Sequence, residues 1–356
     1  MADMNADIAG RTRPPWTQSA WDLTAGAPDT LHHALLITGE PGVAKREFAV
    51  ALGQWLLCAD PTADRRPCGQ CRDCTLFNAG THPDFHVLAT ELEWRDGRVD
   101  LIAKYCDRYQ DIGAREKRTS PGRVIPVDQV RLLIERFSTH AHLATRKVAL
   151  FVPADRMNAN AANALLKLLE EPPGDSTLIL VSATPGYLPA TIRSRCFQIG
   201  IPLPAAEAAT AWLSEHLPGA DAARALGLSN GGPLEALRLY NDGFLQLQDQ
   251  FLRDITELAN GKTGALELAA RLNKHDFLQV LDWLHRFNCE MIREHCGADA
   301  SGGRKPSRPH PGRLSAEKLF ALYDKIGHYR KIAREQLNEQ LAMEEIILTL
   351  QRTIRV

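Results

Sequence analysis

The residues that could do chemistry begin with a glycine-rich stretch, Gly39 to Arg46, which reads GEPGVAKR. A working phosphate-binding loop reads G-x-x-x-x-G-K-[ST]: backbone amides close round phosphates, the lysine reaches the outer phosphates, and the hydroxyl binds Mg²⁺. Gly39, Gly42 and Lys45 are present, but Ala44 replaces the second glycine of the motif and Arg46 replaces the hydroxyl residue. A guanidinium within ~4 Å of the cation would repel it by roughly 4 kcal/mol per unit charge at an effective dielectric of about 20. The sequence predicts a loop that keeps its shape and loses its metal chemistry.

A second candidate site is the cysteine group Cys58, Cys68, Cys71 and Cys74, which gives the spacing C-x9-C-x2-C-x2-C. Four thiolates this close suit a tetrahedral zinc ion that has a structural role, because a closed four-sulfur shell leaves no position for water or substrate. The alternative is a cysteine-rich turn without metal. The other four cysteines lack such spacing and are interpreted as ordinary thiols: Cys106, Cys196, Cys289 and Cys296.

The carboxylates of an ATP-hydrolysing site are missing from the place where the sequence should supply them. Such an enzyme needs an acidic residue at the end of a neighbouring strand to hold Mg²⁺ and a glutamate to polarise water. The candidate strand, Val148–Val152, continues into Pro153, and only Asp155 remains of the acidic tail that such ATPases carry. We interpret Asp155 as holding the turn before the next helix. No ATP or Mg²⁺ is therefore expected in this chain's own site.

The elements that must position these residues alternate between strand and helix. Apolar strands are predicted at Leu35–Thr38, Phe85–Leu88, Val148–Val152, Leu178–Ser182 and Phe197–Ile201. Helical patterns lie at Lys45–Cys58, Val127–His140 and Asn160–Glu171. Apolar strands without alternation, separated by helices, indicate a parallel sheet with helices on both faces.

From Pro202 onward the strand patterns cease and only helical patterns remain. We predict an α/β domain over residues 1–201, with the cysteine insertion at 58–74, a small helical domain over 202–243, and a helical domain over 244–356. The last domain carries an apolar stripe, which predicts one long amphipathic helix or a pair: Leu319, Leu322, Ile326, Tyr329, Ala333, Leu337, Leu341 and Leu348. Segment 91–123 is predicted to be an insertion, and 297–313 a disordered loop.

Composition limits the classes of protein to which the chain can belong. It has 356 residues, with 42 Lys and Arg against 43 Asp and Glu, for a net charge of −1. This balance argues against a dedicated nucleic-acid binder, which would be clearly basic. The polar start of the chain does not look like a signal peptide, and no run approaches the ~20 apolar residues of a membrane helix. A cytoplasmic protein that does not contact membranes is expected.

Two stretches carry a family resemblance: NANAANALLKLLEEPP, which begins at Asn158, and LPATIRSRC, which ends at Cys196. With the altered phosphate loop and the cysteine group, they resemble bacterial clamp-loader subunits of the AAA+ class, most closely the delta-prime subunits of DNA polymerase III. The resemblance implies a RecA-like α/β domain, a helical lid and an all-α collar. In that family the arginine corresponding to Arg195 enters the ATP site of the neighbouring gamma or tau subunit. The lid arginine of the family's G-x-x-R pattern is replaced here by Leu234.

By this resemblance, the chain is expected to be a non-hydrolysing member of a hetero-oligomeric ring that contains gamma or tau and delta subunits. The complex opens a sliding clamp and places it on primed DNA, as a component of a DNA polymerase holoenzyme. No ATPase or polymerase activity is expected of this chain alone. Two other hypotheses stay open: an active gamma-like ATPase that relies on Lys45, and a free-standing zinc-dependent DNA-binding module.

Overall fold

The computed structural model describes residues 13–26, 31–62, 66–96, 99–109, 121–138, 141–144, 146–296, 315–333 and 337–354. The chain divides into two compact units, 1–240 and 241–356. The first unit contains the β-sheet, and the described part of the second unit is helical. The predicted boundaries after residues 201 and 243 stay a prediction. The predicted loop at 297–313 lies outside the described residues.

A five-stranded parallel sheet forms the centre of the first unit. Its strands are β1 (Ala34–Thr38), β2 (Phe85–Ala89), β3 (Lys147–Val152), β4 (Ser176–Ser182) and β5 (Phe197–Gly200), in the order β2-β3-β4-β1-β5. Leu35 of β1 lies opposite Ile179 of β4 on one side and Phe197 of β5 on the other. The predicted parallel sheet is confirmed, and its strand ends differ from the predicted ends by at most two residues.

Helices on both faces of this sheet explain why the strands are apolar without alternation. The helices of the first unit are, in order, α1 (Gln18–Thr24), α2 (Lys45–Leu57), α3 (Arg72–Ala79), α4 (Glu91–Asp96), α5 (Asp100–Cys106), α6 (Val127–Phe137), α7 (Ala159–Glu170), α8 (Ala190–Arg193), α9 (Ala206–Ser214), α10 (Gly219–Leu228) and α11 (Pro233–Asn241). Successive side chains of a strand point to opposite faces. Leu35 accordingly shares one core with Phe48 of α2, whereas Leu36 shares the other core with Leu133 of α6 and Leu165 of α7. The predicted helices are present, although α6 ends at Phe137 rather than at His140.

The residues around Trp21, for which the sequence predicted no element, form a helix. This side chain is only 2% exposed and lies in α1. Its ring meets Phe48 and Trp55 of α2 edge-on, at centroid distances of 5.8 and 6.3 Å. Burial of a large aromatic ring stabilises a short helix whose own propensity is weak.

The segment 91–123 is more than a charged insertion, because its described part extends the core. Ile102, Tyr105 and Cys106 of α5 are buried. The Tyr105 ring packs against Phe85 at a centroid distance of 4.8 Å. Charged residues in the sequence obscured this apolar face, which belongs to a helix of only seven residues. Residues 110–120 lie outside the described part of the chain.

The second unit consists of α12 (Phe244–Ala259), α13 (Ala265–Leu272), α14 (Phe277–His295), α15 (Ala316–Ile332) and α16 (Glu339–Ile354). The predicted apolar stripe is correct in α15, where Leu319, Leu322 and Ile326 are buried. It was wrong at Leu341, which is 61% exposed. Of the two predicted alternatives the chain forms the pair of helices, so the helical phase restarts and α16 buries a different set of residues. Within the described residues, no helix combines the length and apolarity needed to cross a bilayer.

Candidate functional site

The glycine-rich loop connects β1 to α2 at the carboxyl ends of the strands and keeps the backbone of a phosphate-binding loop. Gly39 and Gly42 have φ angles of 146° and 78°, in the region that favours glycine. Ala44 has φ 69° and ψ 29°, a left-handed conformation, at the position where the motif has its second glycine. Such a conformation costs a residue with a β-carbon roughly 1–2 kcal/mol. The loop therefore keeps its backbone conformation, although the glycine that would adopt it without strain is absent.

Lys45 lies inside this loop and is directed at the chain's own backbone. It is 4% exposed, and its ammonium group donates a hydrogen bond to the carbonyl oxygen of Glu40. Burial, followed by the neighbouring guanidinium of Arg46, lowers the pKa of Lys45 to about 8. The loop lysine is thus partly satisfied within the chain and carries its charge less readily than an exposed lysine.

Two other segments of the first unit contact the same loop. The indole Nε1 of Trp16 donates a hydrogen bond to the carbonyl oxygen of Val43 at 3.1 Å. The backbone amide of Leu234 donates to the carbonyl oxygen of Gly42 at 3.0 Å. The approach of α11 is close: a methyl group placed on Gly232 would lie 2.1 Å from the carbonyl oxygen of Pro41. Residues outside the motif therefore contact the carbonyl oxygens of the loop.

Arg46, at the position of the magnesium-binding hydroxyl, forms a bidentate ion pair with Glu93 of α4. The Nη2–Oε2 distance is 2.8 Å, and the Glu93 side chain is only 8% exposed. Glu93 offsets the charge of the guanidinium, so the repulsion of a cation expected from Arg46 alone is weakened. The substitution still removes the hydroxyl ligand that a magnesium site uses.

Asp155 lies beyond β3, where the chain lacks the other two acids. Its two carboxylate oxygens accept hydrogen bonds from Ser182 Oγ at 2.6 Å and from Thr184 Oγ1 at 3.0 Å. The carboxylate therefore joins the turn after β3 to the end of β4. This geometry agrees with the turn-holding role expected from the sequence.

The four cysteines predicted to bind metal lie together between the end of α2 and the start of α3. The sulfur atoms of Cys58, Cys68, Cys71 and Cys74 all lie within 4.8 Å of one another. The Cys58 sulfur is 3.6 Å from that of Cys68 and 3.9 Å from that of Cys71. A tetrahedron with Zn–S bonds of about 2.3 Å has edges of about 3.8 Å. The cluster can hold a metal ion, and its size fits zinc.

Backbone amides around the cluster favour thiolates. The amides of Cys68, Cys71 and Cys74 each donate to the sulfur of the preceding cysteine of the group, at 3.3, 3.3 and 3.4 Å. Burial raises the pKa of Cys71, but hydrogen bonds from the amides of Cys74 and Ala59 outweigh it and lower the pKa to about 7. Burial raises the pKa values of Cys58 and Cys74, so a cation would be needed to hold all four sulfurs deprotonated.

Arg195 lies between α8 and β5, at the amino ends of the strands. Its Nη2 is 2.6 Å from Glu170 Oε1, and its Nη1 donates to the carbonyl oxygen of Thr191 at 3.0 Å. The side chain is 38% exposed. Because β1 and β5 are parallel neighbours, the loop and Arg195 are separated by a five-residue strand, or about 17 Å. The structure therefore brings Asp155 and the loop to one edge of the sheet and leaves Arg195 at the opposite edge.

Sequence reasoning missed the residues that contact these candidate groups. Nothing in the spacing of Glu93 or Trp16 links them to the loop, because each reaches it only through the tertiary fold. Leu234 had a signal, since it stands where the family's G-x-x-R pattern has its lid arginine. Glu170 had a usable signal: it ends α7 with Glu171 as the C-cap, where the helix dipole disfavours negative charge.

The chain is similar to known proteins over nearly its whole length. One family model, described as DNA polymerase III, delta subunit, matches residues 23–204, and another, described as its C-terminal part, matches residues 242–352. The DNA polymerase III subunit delta' of Pseudomonas aeruginosa is 33% identical, with 94% of this chain and 96% of that protein covered. The Escherichia coli protein of the same name is 30% identical, with 91% and 90% covered.

A Thermotoga maritima protein related to the DNA polymerase III gamma subunit is a similar solved structure, with 17% identity and a TM-score of 0.44. It covers 91% of this chain, and 95% of that chain is matched. The AAA+ fold class expected from the sequence is confirmed by the parallel sheet, the helical C-terminal unit and the matching family models. The two family models and the relatives that span nearly the whole chain establish that it belongs to the delta' family of DNA polymerase III clamp-loader subunits.

Proposed function

We propose that this chain is the non-hydrolysing member of its clamp-loader complex and that it donates Arg195 to the ATP site of a neighbouring gamma or tau subunit. The observation that carries this proposal is the position of Arg195. The side chain is partly exposed and lies about 17 Å along the strands from the chain's own loop, at the other edge of the sheet. An arginine in this position is too far from its own chain's phosphate loop to act there, and it is exposed enough to contact a neighbouring chain.

Three features of the loop support the absence of ATP hydrolysis. The hydroxyl ligand is replaced by Arg46, which is paired with Glu93. The acids at the end of β3 are replaced by Val152 and Pro153. The carbonyl oxygen of Gly42 accepts a hydrogen bond from Leu234 at the start of α11. Together these features remove the metal ligands that ATP hydrolysis uses and fix the loop against the start of α11.

The contribution proposed for Arg195 is electrostatic. A planar guanidinium with a permanent charge stabilises the charge that develops on the transferring phosphoryl group. Because ATP and the attacking water belong to the neighbour's site, this chain supplies only the cation and the rigid support behind it. Its other proposed partner is the delta subunit, and through the complex it acts on the sliding clamp and primed DNA. The cytoplasmic location expected from the sequence stays a prediction.

We also propose that the four-cysteine cluster holds zinc with a structural role. The sulfur spacing and the backbone donors support this choice. Zinc would join the end of α2 to the start of α3, and four sulfur ligands would leave no open position for a reacting molecule. A structural role is the one that a closed shell allows.

The test of the arginine role uses the complex reconstituted with its ATP-hydrolysing neighbours. Arg195→Ala is expected to abolish part of the ATP turnover, since an arginine finger contributes about 10³–10⁵ in rate at the site it enters. Assembly, followed by size-exclusion chromatography, should be unchanged. The matched control is Arg131→Ala, which removes an exposed, ion-paired arginine of α6. ATP turnover that is unchanged in Arg195→Ala would refute the proposal.

An active gamma-like ATPase is the alternative, favoured by the retained loop backbone at Ala44 and by Lys45. Calorimetric titration of the isolated chain with ATP and Mg²⁺ separates the two functions. A motor subunit must bind with at least micromolar affinity, whereas the proposed function predicts no binding in that range. Tight binding abolished by Lys45→Ala would favour the alternative.

A further inference from the structure

Arg195 is held at two points within its own chain. The two contacts, to Glu170 Oε1 at 2.6 Å and to the Thr191 carbonyl oxygen at 3.0 Å, come from different helices. A guanidinium has five N–H donors in a planar fork. Contacts within the described residues use two of the five and leave the rest for a ligand. The group is therefore oriented by the protein without being saturated by it.

Both ends of the Glu170–Arg195 ion pair are attached to the same core. Leu169, next to Glu170, is 2% exposed, and Cys196, next to Arg195, is 9% exposed; both pack in the core beneath α7. Ile192 of α8 lies in that core as well. The ion pair thus connects two backbone segments that are already fixed. The ion pair additionally fixes the orientation of the Arg195 side chain, which is long and has several rotatable bonds.

Stability does not account for the charge at residue 170. Glu170 is the last residue of α7 and Glu171 is its C-cap, a place where the helix dipole favours cations. The Glu170 side chain is 52% exposed, so the ion pair is screened by solvent and adds little to folding. A residue that is unfavourable for the stability of its own helix, as Glu170 is, is typical of a functional position.

We infer that Glu170 is a positioning residue for Arg195: it holds the guanidinium in the orientation that enters the neighbouring subunit's nucleoside triphosphate site. This inference rests on the proposed function of Arg195. Without the carboxylate, the side chain keeps only the Thr191 contact and samples more rotamers. Fewer of those rotamers reach the phosphoryl group, so ATP turnover falls while the affinity for ATP stays the same.

The test measures Arg195-dependent turnover, defined as the part of the reconstituted complex's ATP turnover that Arg195→Ala removes. Glu170→Gln keeps the size of the side chain and removes its charge. It is expected to lower the kcat of the Arg195-dependent turnover about two- to fivefold, the range of an exposed ion pair, with KM for ATP unchanged. In the Arg195→Ala background the same substitution should have no further effect.

Glu171→Gln is the matched control, because it removes the same charge one residue away from the ion pair. Both single variants should have the same urea midpoint, which separates positioning from stability. Equal turnover in Glu170→Gln and Glu171→Gln, or a rise in Glu170→Gln, would overturn the inference while leaving the role of Arg195 intact. If Arg195→Ala itself leaves turnover unchanged, the proposed function fails, and this inference fails with it.

Discussion

At the scale of single residues, the phosphate loop shows that backbone shape and chemistry are separable. Ala44 holds a left-handed conformation at φ 69°, although glycine would adopt it without strain. Lys45 stays beside it, but its ammonium group contacts the backbone of Glu40. The surrounding contacts of α2 and of the loop therefore determine the shape, and the residues within the loop determine what it can bind.

Ala44→Gly is expected to stabilise the protein. The substitution stabilises the folded state by about 1–2 kcal/mol, because glycine adopts the left-handed conformation without strain. It costs about 0.5–1 kcal/mol, because glycine gives the unfolded chain more conformational entropy. A net gain of about 0.5–1 kcal/mol should appear as a higher urea midpoint. Ala164→Gly, in the middle of α7, is the control and should lose about 1 kcal/mol. A loss of stability in both variants would contradict the strain at Ala44.

The sequence singled out the loop and the four cysteines as candidate sites, because each has a residue type and spacing with few other uses, and the family resemblance singled out Arg195. The sequence did not identify their partners. Glu93 reaches Arg46 from 47 positions away, and Glu170 is 25 positions from Arg195. Such pairs depend on how α4 and α7 pack, and a single sequence carries no direct signal for that packing.

At the scale of elements, the sheet was predictable and the short helices were not. Strands buried on both faces leave long apolar runs, whereas α1 and α5 are held by only a few buried side chains. The phase error at Leu341 has a similar cause. A break between α15 and α16 resets the helical periodicity, and the spacing of the leucines alone continues across it.

The contact between α11 and the phosphate loop gives a prediction at this scale. Gly232→Ala would bring a methyl group to 2.1 Å from the Pro41 carbonyl oxygen, so the start of α11 must move away from the loop. We expect a loss of about 1–3 kcal/mol and faster amide hydrogen exchange at residues 39–44. Gly227→Ala, in α10 with nothing within 4 Å of the added carbon, is the control. Equal exchange in the two variants would argue against a close contact.

Metal removal tests the cluster that joins α2 to α3. Treatment with a strong chelator is expected to remove one zinc ion per chain, measured by elemental analysis. The loss should speed amide exchange around the four cysteines more than in α7, because the ion would join the end of α2 to the start of α3. Cys68→Ser should reproduce the effect, whereas Cys296→Ser, an exposed cysteine outside the cluster, should retain the metal. Full-length protein without metal and with unchanged exchange would contradict the structural role.

At the scale of the whole molecule, the chain combines an α/β unit with a helical unit, and its charges are nearly balanced at −1. Family relatives cover both units, so the resemblance extends beyond the phosphate loop to the C-terminal helices. The general class of the protein could be predicted from its sequence. The distance that separates the loop from Arg195 could not, because it depends on the parallel register of β1 and β5.

That separation gives the subunit a direction. Under the proposed function, the edge of the sheet that carries Arg195 supplies an arginine to a neighbour. The edge that carries the phosphate loop hydrolyses no ATP and needs no arginine from another subunit. Such a chain can stand at the end of a row of ATP-using subunits, but in the middle it would interrupt them. A series of adjacent ATP-using subunits would then contain one copy of this chain, at its end. The order of subunits in the ring would follow from the absence of a working ATP site in this chain.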